Sequence, residues 1–206
     1  MGYPAEPWSL RGQLHVSVWL LPVAALPAIP AELDGAVRVV RAGGRAIVGA
    51  AWVDYQPGGD LAYRELLAAT LMRAGRRPRV TITHIWVDSV DSRNGGRELW
   101  GIPKDLAELS ITGTAASAAG IASADLRRGV RLPVRLPAGF QVTQALAGRA
   151  KTTVVWATAR YGITRTRWRI DAGGPLGFLA GRRPLVSLVA ADFRMRFGES
   201  AAQAPV

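Results

Sequence analysis

The sequence of 206 residues contains no cysteine. This absence excludes disulfide bonds, thiolate nucleophiles and zinc sites built on cysteine. Histidine is also scarce, and both His15 and His84 alternate with apolar residues in predicted strands, which is typical of packed core histidines. No cluster of His, Asp and Glu has the spacing of a metal site. We therefore expect neither a metal ion nor another cofactor.

Long hydrophobic runs are missing too. The longest, residues 16–29, is broken by Pro22 and Pro27 before it reaches the length of a membrane span. The first residues have neither the basic nor the apolar stretch of a signal peptide. We expect a cytoplasmic protein that has no membrane partner.

Lysine is limited to Lys104 and Lys151, so the net charge of +11 comes almost entirely from arginine. A basic excess invites a nucleic-acid interpretation, because contacts with phosphates release counterions. The arginines are scattered from Arg11 to Arg196 in an Ala- and Gly-rich chain, which favours codon bias as their origin. The arginines at residues 165–169 alternate along a predicted strand and are expected to form a solvated face rather than an RNA-binding face. We expect no nucleic-acid partner.

Alternating apolar and polar residues predict a mainly β protein with a few short helices. Glycine- and proline-rich turns separate the predicted strands, which favours a closed or sandwiched β architecture. The predicted strands are residues 14–19, 37–41, 46–54, 80–87, 152–160 and 163–170. Local propensity favours helix at residues 60–74 and 103–109. We expect one domain over residues 1–198 and a flexible tail at residues 199–206.

Residues 85–106 carry the most informative pattern in the chain. A strand is predicted to enter a glycine-rich turn at residues 93–96, followed by a short strand and by Gly-Ile-Pro-Lys at residues 101–104. A lysine attacks a carbonyl only as the neutral amine, which is rare at a usual pKa of about 10.4. Burial and a place in a first helical turn are both expected to lower the pKa of Lys104. The apolar neighbours expected around it are Trp100, Ile102 and Leu106.

A family resemblance follows from these residues. Gly96-Arg97-Glu98-Leu99, followed by Gly101-Ile102-Pro103-Lys104, resembles the Gly-Arg-Glu-Leu and Pro-Lys-Lys signature of acetoacetate decarboxylases. Residues 59–65 resemble the Gly-x-x-x-Tyr-x-Glu segment of the same family, and a weaker likeness covers most of the chain. The resemblance implies a closed cone or barrel of mostly antiparallel strands and a homo-oligomer. It also implies that residues 60–74 are at least partly extended, and we follow it there.

The resemblance also assigns roles to side chains. It implies that Lys104 forms a Schiff base with a keto substrate and that Glu65 lines the same active site. The expected substrate-binding side chains are Arg11, Tyr63, Glu98, Trp100 and Ile102. Arg11 would hold a substrate carboxylate, whereas Glu98 could equally belong to a structural ion pair with Arg97. Without a pocket, Lys104 would be a surface lysine paired with Asp105 or Glu108.

Two departures from the family signature bear on the reaction. Asp105 replaces the second lysine of Pro-Lys-Lys, and its anion would stabilise an ammonium nearby. A second family glutamate falls near residues 49–51, where this sequence has no carboxylate. We therefore predict a lyase-type relative that acts on a β-keto acid or related keto substrate, in secondary metabolism. The alternatives are a cyclase, aldolase or dehydratase that uses Lys104 and Glu65 as acid and base, or a non-catalytic small-ligand binding protein.

Overall fold

Strands dominate the computed structural model, which describes residues 2–127 and 129–199. The strands are β1 Trp8–Pro22, β2 Arg38–Val39, β3 Arg41–Ala42, β4 Arg45–Tyr55, β5 Tyr63–Ala74, β6 Arg77–Val87, β7 Lys104–Leu106, β8 Leu109–Ile111, β9 Ala115–Ala118, β10 Ala122–Leu126, β11 Val130–Arg131, β12 Leu136–Leu146, β13 Arg149–Thr164, β14 Thr166–Ile170 and β15 Val186–Glu199. The α-helix α1 spans Val90–Trp100, and short 3-10 helices span Val23–Ala25, Ala31–Leu33 and Gly177–Leu179. The prediction of a mainly β protein is confirmed.

Seven of these strands form a closed barrel in the order β5, β4, β1, β15, β13, β12 and β6, and the pairing of β6 with β5 closes it. Neighbouring strands are antiparallel except β6 and β12, which run parallel and meet at Val80 and Val142. A smaller sheet of β14, β10, β9 and β8 lies beside the barrel. The closed barrel of mostly antiparallel strands implied by the resemblance is confirmed.

The two larger of three hydrophobic clusters among the described residues explain why β4 and β5 do not alternate cleanly. One core lines the inside of the barrel, and the other lies between the barrel and the small sheet, where Trp168 packs 5.6 Å from both Trp19 and Trp52. Because β5 contributes to both cores, its two faces are apolar, as in Leu66 and Leu67. A strand buried on both faces loses its alternating pattern.

Both segments with helical propensity are strands in the structure. Residues 60–74 contain β5, which confirms the extended conformation implied by the resemblance; pairing with β4 and β6 overrides the propensity of its leucines and alanines. The predicted helix at residues 103–109 is wrong, since β7 pairs in parallel with Ile85–Val87 of β6. Lys104 therefore lies in a strand and not in the first turn of a helix.

The predicted glycine turn at residues 93–96 is also wrong, because these residues lie inside α1. The hydroxyl of Ser89 accepts a hydrogen bond from the backbone N–H of Ser92 and caps the start of the helix. Gly101 ends it in the left-handed conformation at φ 67°. The sequence therefore contains both helix-boundary signals, and two internal glycines obscured them.

The predicted domain and tail are only partly covered by the described residues. The predicted tail at residues 199–206 lies outside the described residues, except for Glu199, where β15 ends. The single domain over residues 1–198 stays a prediction. Across residues 2–127 and 129–199, none of the helices has the length and apolar character needed to cross a membrane.

Candidate active site

The side chain of Lys104 points into one end of the barrel. Along β7, Lys104 is 4% exposed, whereas Asp105 and Leu106 are exposed. Its Nζ lies 2.9 Å from Oε2 of Glu65, 2.9 Å from Oγ of Ser92 and 3.2 Å from the hydroxyl of Tyr63. An ammonium has three N–H donors, and each of them here has an acceptor. The described contacts fit a protonated lysine.

Glu65 is placed by β5, on the same face of the strand as Tyr63. It is 2% exposed, and its Oε1 accepts a hydrogen bond from the hydroxyl of Tyr55 at 3.2 Å. The rings of Tyr55 and Tyr63 stack with centroids 4.3 Å apart. Both oxygens of Glu65 are thus engaged, one by Tyr55 and one by Lys104, so a buried carboxylate is paired and hydrogen-bonded as its environment requires.

Electrostatics at the site differ from the expectation drawn from the sequence. Burial lowers the pKa of Lys104, but the charge of Glu65 and the contacts with Tyr63 outweigh it, so that the pKa is raised. The expected lowering is therefore wrong for the site without substrate. Burial and the nearby charge of Glu65 also raise the pKa of Tyr55 well above its usual value, which keeps its hydroxyl protonated and donating.

Asp105 is not the residue that opposes activation of Lys104. Its side chain is 65% exposed and forms an ion pair with Arg97 of α1. The same arginine donates from Nε to the carbonyl oxygen of Lys104 at 2.5 Å, which holds β7 against α1. Successive side chains of a strand point to opposite faces, so Asp105 points away from the side of β7 that carries the amine. The anion that stabilises the ammonium is Glu65.

The two glycines of α1 allow the helix to approach the site closely. A Cβ on Gly95 would lie 2.5 Å from the ring of Trp8, and a Cβ on Gly96 would lie 2.7 Å from Cδ of Lys104. Ser92 precedes Gly96 by four residues and therefore lies on the same helix face. Sequence reasoning missed Ser92 and Tyr55; recognising residues 90–100 as a helix would have placed Ser92 beside Gly96.

The lysine and the glutamate lie in a cavity of about 470 Å³ inside the barrel. Five of the seven predicted site residues line it: Lys104, Glu65, Tyr63, Trp100 and Ile102. Trp100 forms part of the wall at the lysine end, where its ring meets that of Trp8 edge to face at 4.7 Å and its Nε1 donates to Oε2 of Glu6 at 2.6 Å. The described lining thus combines one ion pair with a largely apolar surface.

The other two predicted site residues lie outside this cavity. Arg11 is exposed on the outer face of β1, against Gly58, and lines a separate surface depression together with Arg194. Glu98 is exposed on α1, where it accepts a hydrogen bond from the hydroxyl of Tyr3 at 2.5 Å. The structure therefore does not bring Arg11 or Glu98 together with Lys104.

Within the residues that the structure describes, no group of three or more His, Asp or Glu side chains could hold a metal ion. The ring of His84 packs 5.4 Å from that of Phe178, and its Nδ1 lies 3.1 Å from the hydroxyl of Thr83. The chemistry available in the cavity is that of an amine, a carboxylate and hydroxyl groups.

Comparison with known proteins gives one family match. The family model described as acetoacetate decarboxylase matches residues 7–161, which include the cavity-lining Glu65 and Lys104. Among curated proteins, none matches the sequence. The family-model match covers about three quarters of the chain.

Solved structures resemble the fold over nearly its whole length. Acetoacetate decarboxylase from Legionella pneumophila is 14% identical with a TM-score of 0.69, over 96% of this chain and 87% of that one. The enduracididine biosynthesis enzyme MppR, complexed with pyruvate, is 15% identical with a TM-score of 0.60, over 97% and 90%. An acetoacetate decarboxylase-like enzyme from Sphingomonas wittichii RW1 is 14% identical with a TM-score of 0.55, over 93% and 89%. At these identities the likeness is one of fold.

Proposed function

The chain belongs to the acetoacetate decarboxylase family, and we propose that it is a lyase-type enzyme in which Lys104 forms an imine with a β-keto acid or related keto substrate. The observation that carries this proposal is the buried pair of Lys104 and Glu65, 2.9 Å apart in an apolar cavity. A fold relative, MppR, was solved with the keto acid pyruvate bound, which supports a keto substrate.

The first step is a proton transfer inside the ion pair. Glu65 accepts a proton from Lys104, leaving a neutral amine beside a neutral carboxylic acid. The pair has zero net charge before and after, so the transfer leaves no unpaired charge in an apolar site, where one would be costly. A raised pKa of Lys104 in the free protein is therefore compatible with nucleophilic attack, provided that Glu65 takes the proton.

Imine formation then follows from the same two residues. The amine attacks the substrate carbonyl, and the oxygen leaves as water after receiving one proton from the amine and one from Glu65. The product is a protonated imine next to the Glu65 carboxylate, so the cation is again paired. Breaking the bond to the substrate carboxyl group releases carbon dioxide and moves the electron pair into the imine. Tyr55, which donates to Glu65, orients that carboxylate during these steps.

The raised pKa of Lys104 favours a second candidate function. A lysine that stays an ammonium is suited to protonate an oxygen, and Glu65 is placed to remove a proton from carbon. The protein would then be a cyclase, aldolase or dehydratase that works without an imine. In that case Lys104→Arg should retain part of the turnover, because arginine keeps a positive charge, whereas an imine mechanism loses all of it.

Borohydride trapping tests the imine directly. The protein is incubated with a keto acid, reduced with borohydride and digested for peptide mass mapping. We expect a reduced adduct on Lys104 and none on Lys151, which pairs with Glu6 near the surface and serves as an internal control. An unlabelled Lys104 would rule out the imine. If the protein binds a ligand but shows no turnover in any assay, the remaining interpretation is a non-catalytic ligand-binding protein.

The homo-oligomer and the cytoplasmic location remain part of the proposal. Val130, Ile163 and Leu188 lie side by side on three neighbouring strands and are 86%, 67% and 38% exposed. An exposed apolar patch of this kind supports association between copies. Light scattering of the wild type and of Ile163→Lys tests it, since a lysine in the patch should shift the protein toward monomer.

A further inference from the structure

We propose that the substrate carries an extended apolar chain that fills the barrel interior while its carbonyl group meets Lys104. This inference rests on the proposed function for the position of the carbonyl, but the chain itself is argued from the shape and lining of the cavity. The cavity is much longer than the lysine site, and it changes character along its length.

The length of the cavity follows from the strands that line it. On β5 the lining residues run from Tyr63 and Glu65 at the lysine end to Leu71. From Glu65 to Leu71 the strand rises roughly 20 Å at about 3.3 Å per residue. With the strand tilt common in barrels this becomes about 15 Å along the axis. A short keto acid would occupy only the lysine end.

The burial of the lining residues shows where the cavity opens. On β4, Tyr55 and Val53 are buried, whereas Gly49 and Ile47 are partly exposed. The lining residues of β1 follow the same order, from buried Leu10 at the lysine end to partly exposed Val18. On these two strands, the lysine end of the cavity is therefore the more buried end. A substrate that enters from the open end has to carry its carbonyl near its leading end and its tail behind it.

The lining selects an uncharged, apolar tail. Beyond Lys104 and Glu65, the lining that the structure describes contains no charged side chain. Small inward residues, among them Gly49, Ala51 and Ala69, leave the middle of the channel open. A charged group there would be buried without a partner, whereas each methylene gains from leaving water. The substrate class is therefore a β-keto acid with a hydrocarbon chain, and the methyl ketone that its decarboxylation leaves serves as a binding probe.

A chain-length series tests the proposal. The probes are butanone, hexan-2-one, octan-2-one and decan-2-one, with binding to the wild-type protein measured by tryptophan fluorescence or calorimetry. We expect the dissociation constant to fall about fourfold per added methylene until the channel is full. A dissociation constant that does not change with chain length would overturn the proposal.

A variant pair tests the location of the chain. Gly49→Leu adds a side chain inside the channel, where a Cβ would meet Val16 at an ordinary 3.7 Å, and Gly113→Leu adds the same side chain where nothing lies within 4 Å. Gly49→Leu should weaken binding of octan-2-one at least tenfold and leave butanone unchanged, whereas Gly113→Leu should match the wild type. Equal behaviour of the two variants would contradict the proposal; if Gly49→Leu does not fold, the wild-type series decides alone.

Trapping with borohydride separates this inference from the proposed function. If the dissociation constant falls steeply with chain length but no adduct forms on Lys104, the apolar channel is supported and the imine is ruled out. An adduct of Lys104 with butanone, together with a flat series, would keep the imine and remove the channel.

Discussion

Gly96 of α1 and Lys104 of β7 lie so close that a methyl group on the glycine would stand 2.7 Å from Cδ of the lysine. That distance is below any ordinary contact between carbon atoms. The glycine therefore leaves room for the lysine side chain to run alongside the helix toward Ser92 and Glu65. Glycine is unfavourable in a helix interior, and the position of the lysine amine explains why it occurs at residue 96.

Gly96→Ala should displace the amine from Glu65. Alanine favours helix, so we expect the fold to persist, and the lysine stem is the part able to move. The rate of borohydride trapping on Lys104 should fall at least tenfold. Gly113→Ala, at a position with open space around it, is the matched control and should trap at the wild-type rate. Unchanged trapping in Gly96→Ala would show that the close contact has no role in placing the nitrogen.

Glu65→Gln should lower the pKa of Lys104. Burial lowers that pKa and the charge of Glu65 raises it, so removing the charge at nearly constant volume leaves burial dominant. The pH midpoint for modification of Lys104 by trinitrobenzenesulfonate, followed by peptide mapping, should move to lower pH. More neutral amine would then be present at neutral pH, but the proton acceptor for imine formation would be lost. A midpoint that stays or rises would contradict the assigned electrostatics.

Asp105→Asn should leave the pKa of Lys104 unchanged. Its carboxylate points away from the cavity and pairs with Arg97 at the surface. Exposed ion pairs contribute about 0–1 kcal/mol, so the free energy of unfolding should change by less than about 1 kcal/mol. The same modification assay, run beside Glu65→Gln, provides the comparison. A shift as large as that of Glu65→Gln would mean that Asp105 acts on the amine.

Lys104→Met should destabilise the protein more than the double variant Lys104→Met/Glu65→Gln. Removing the cation leaves Glu65 buried without its ion-pair partner, a loss of about 3–5 kcal/mol, and the second change removes the stranded charge. Because the pKa of Lys104 is raised on folding, the stabilisation by the pair is present below the ordinary lysine pKa and is lost as pH rises past the raised value. Urea unfolding at neutral pH therefore measures it. Equal stabilities of the single and double variants would contradict a buried pair.

Much of the site could be predicted from residues 96–104 and 59–65, because a motif preserves the order of residues around a reactive group. The five predicted residues that line the cavity come from these two segments. Arg11 shows the limit of such reasoning: one position along a strand moves a side chain from the inside of a barrel to the outside. Leu10 lines the cavity and Arg11 lies outside it.

The remaining errors have a common physical origin in long-range contacts. β5 reads as a helix locally, and only its pairing with β4 and β6 makes it a strand. The local pattern of α1 predicts a turn, because its two glycines are explained by contacts with Tyr3, Trp8 and Lys104, which lie outside the helix. Asp105 follows Lys104 directly, yet the anion that meets the amine comes from a position 39 residues earlier. The residues next to Lys104 in the sequence therefore do not reveal which anion contacts its amine.

The pairing of β1 with β15 has a consequence for biosynthesis. Trp8 lies opposite Phe197 in the sheet, so β1 cannot complete its pairing until β15, which is translated much later, has been made. The barrel cannot close while β15 is still on the ribosome, and contacts between such distant segments slow folding. Until then β1 and β13 each present an open hydrogen-bonding edge, the feature that promotes aggregation of nascent β proteins. A chain that stops before residue 186 is therefore expected to be insoluble rather than merely inactive.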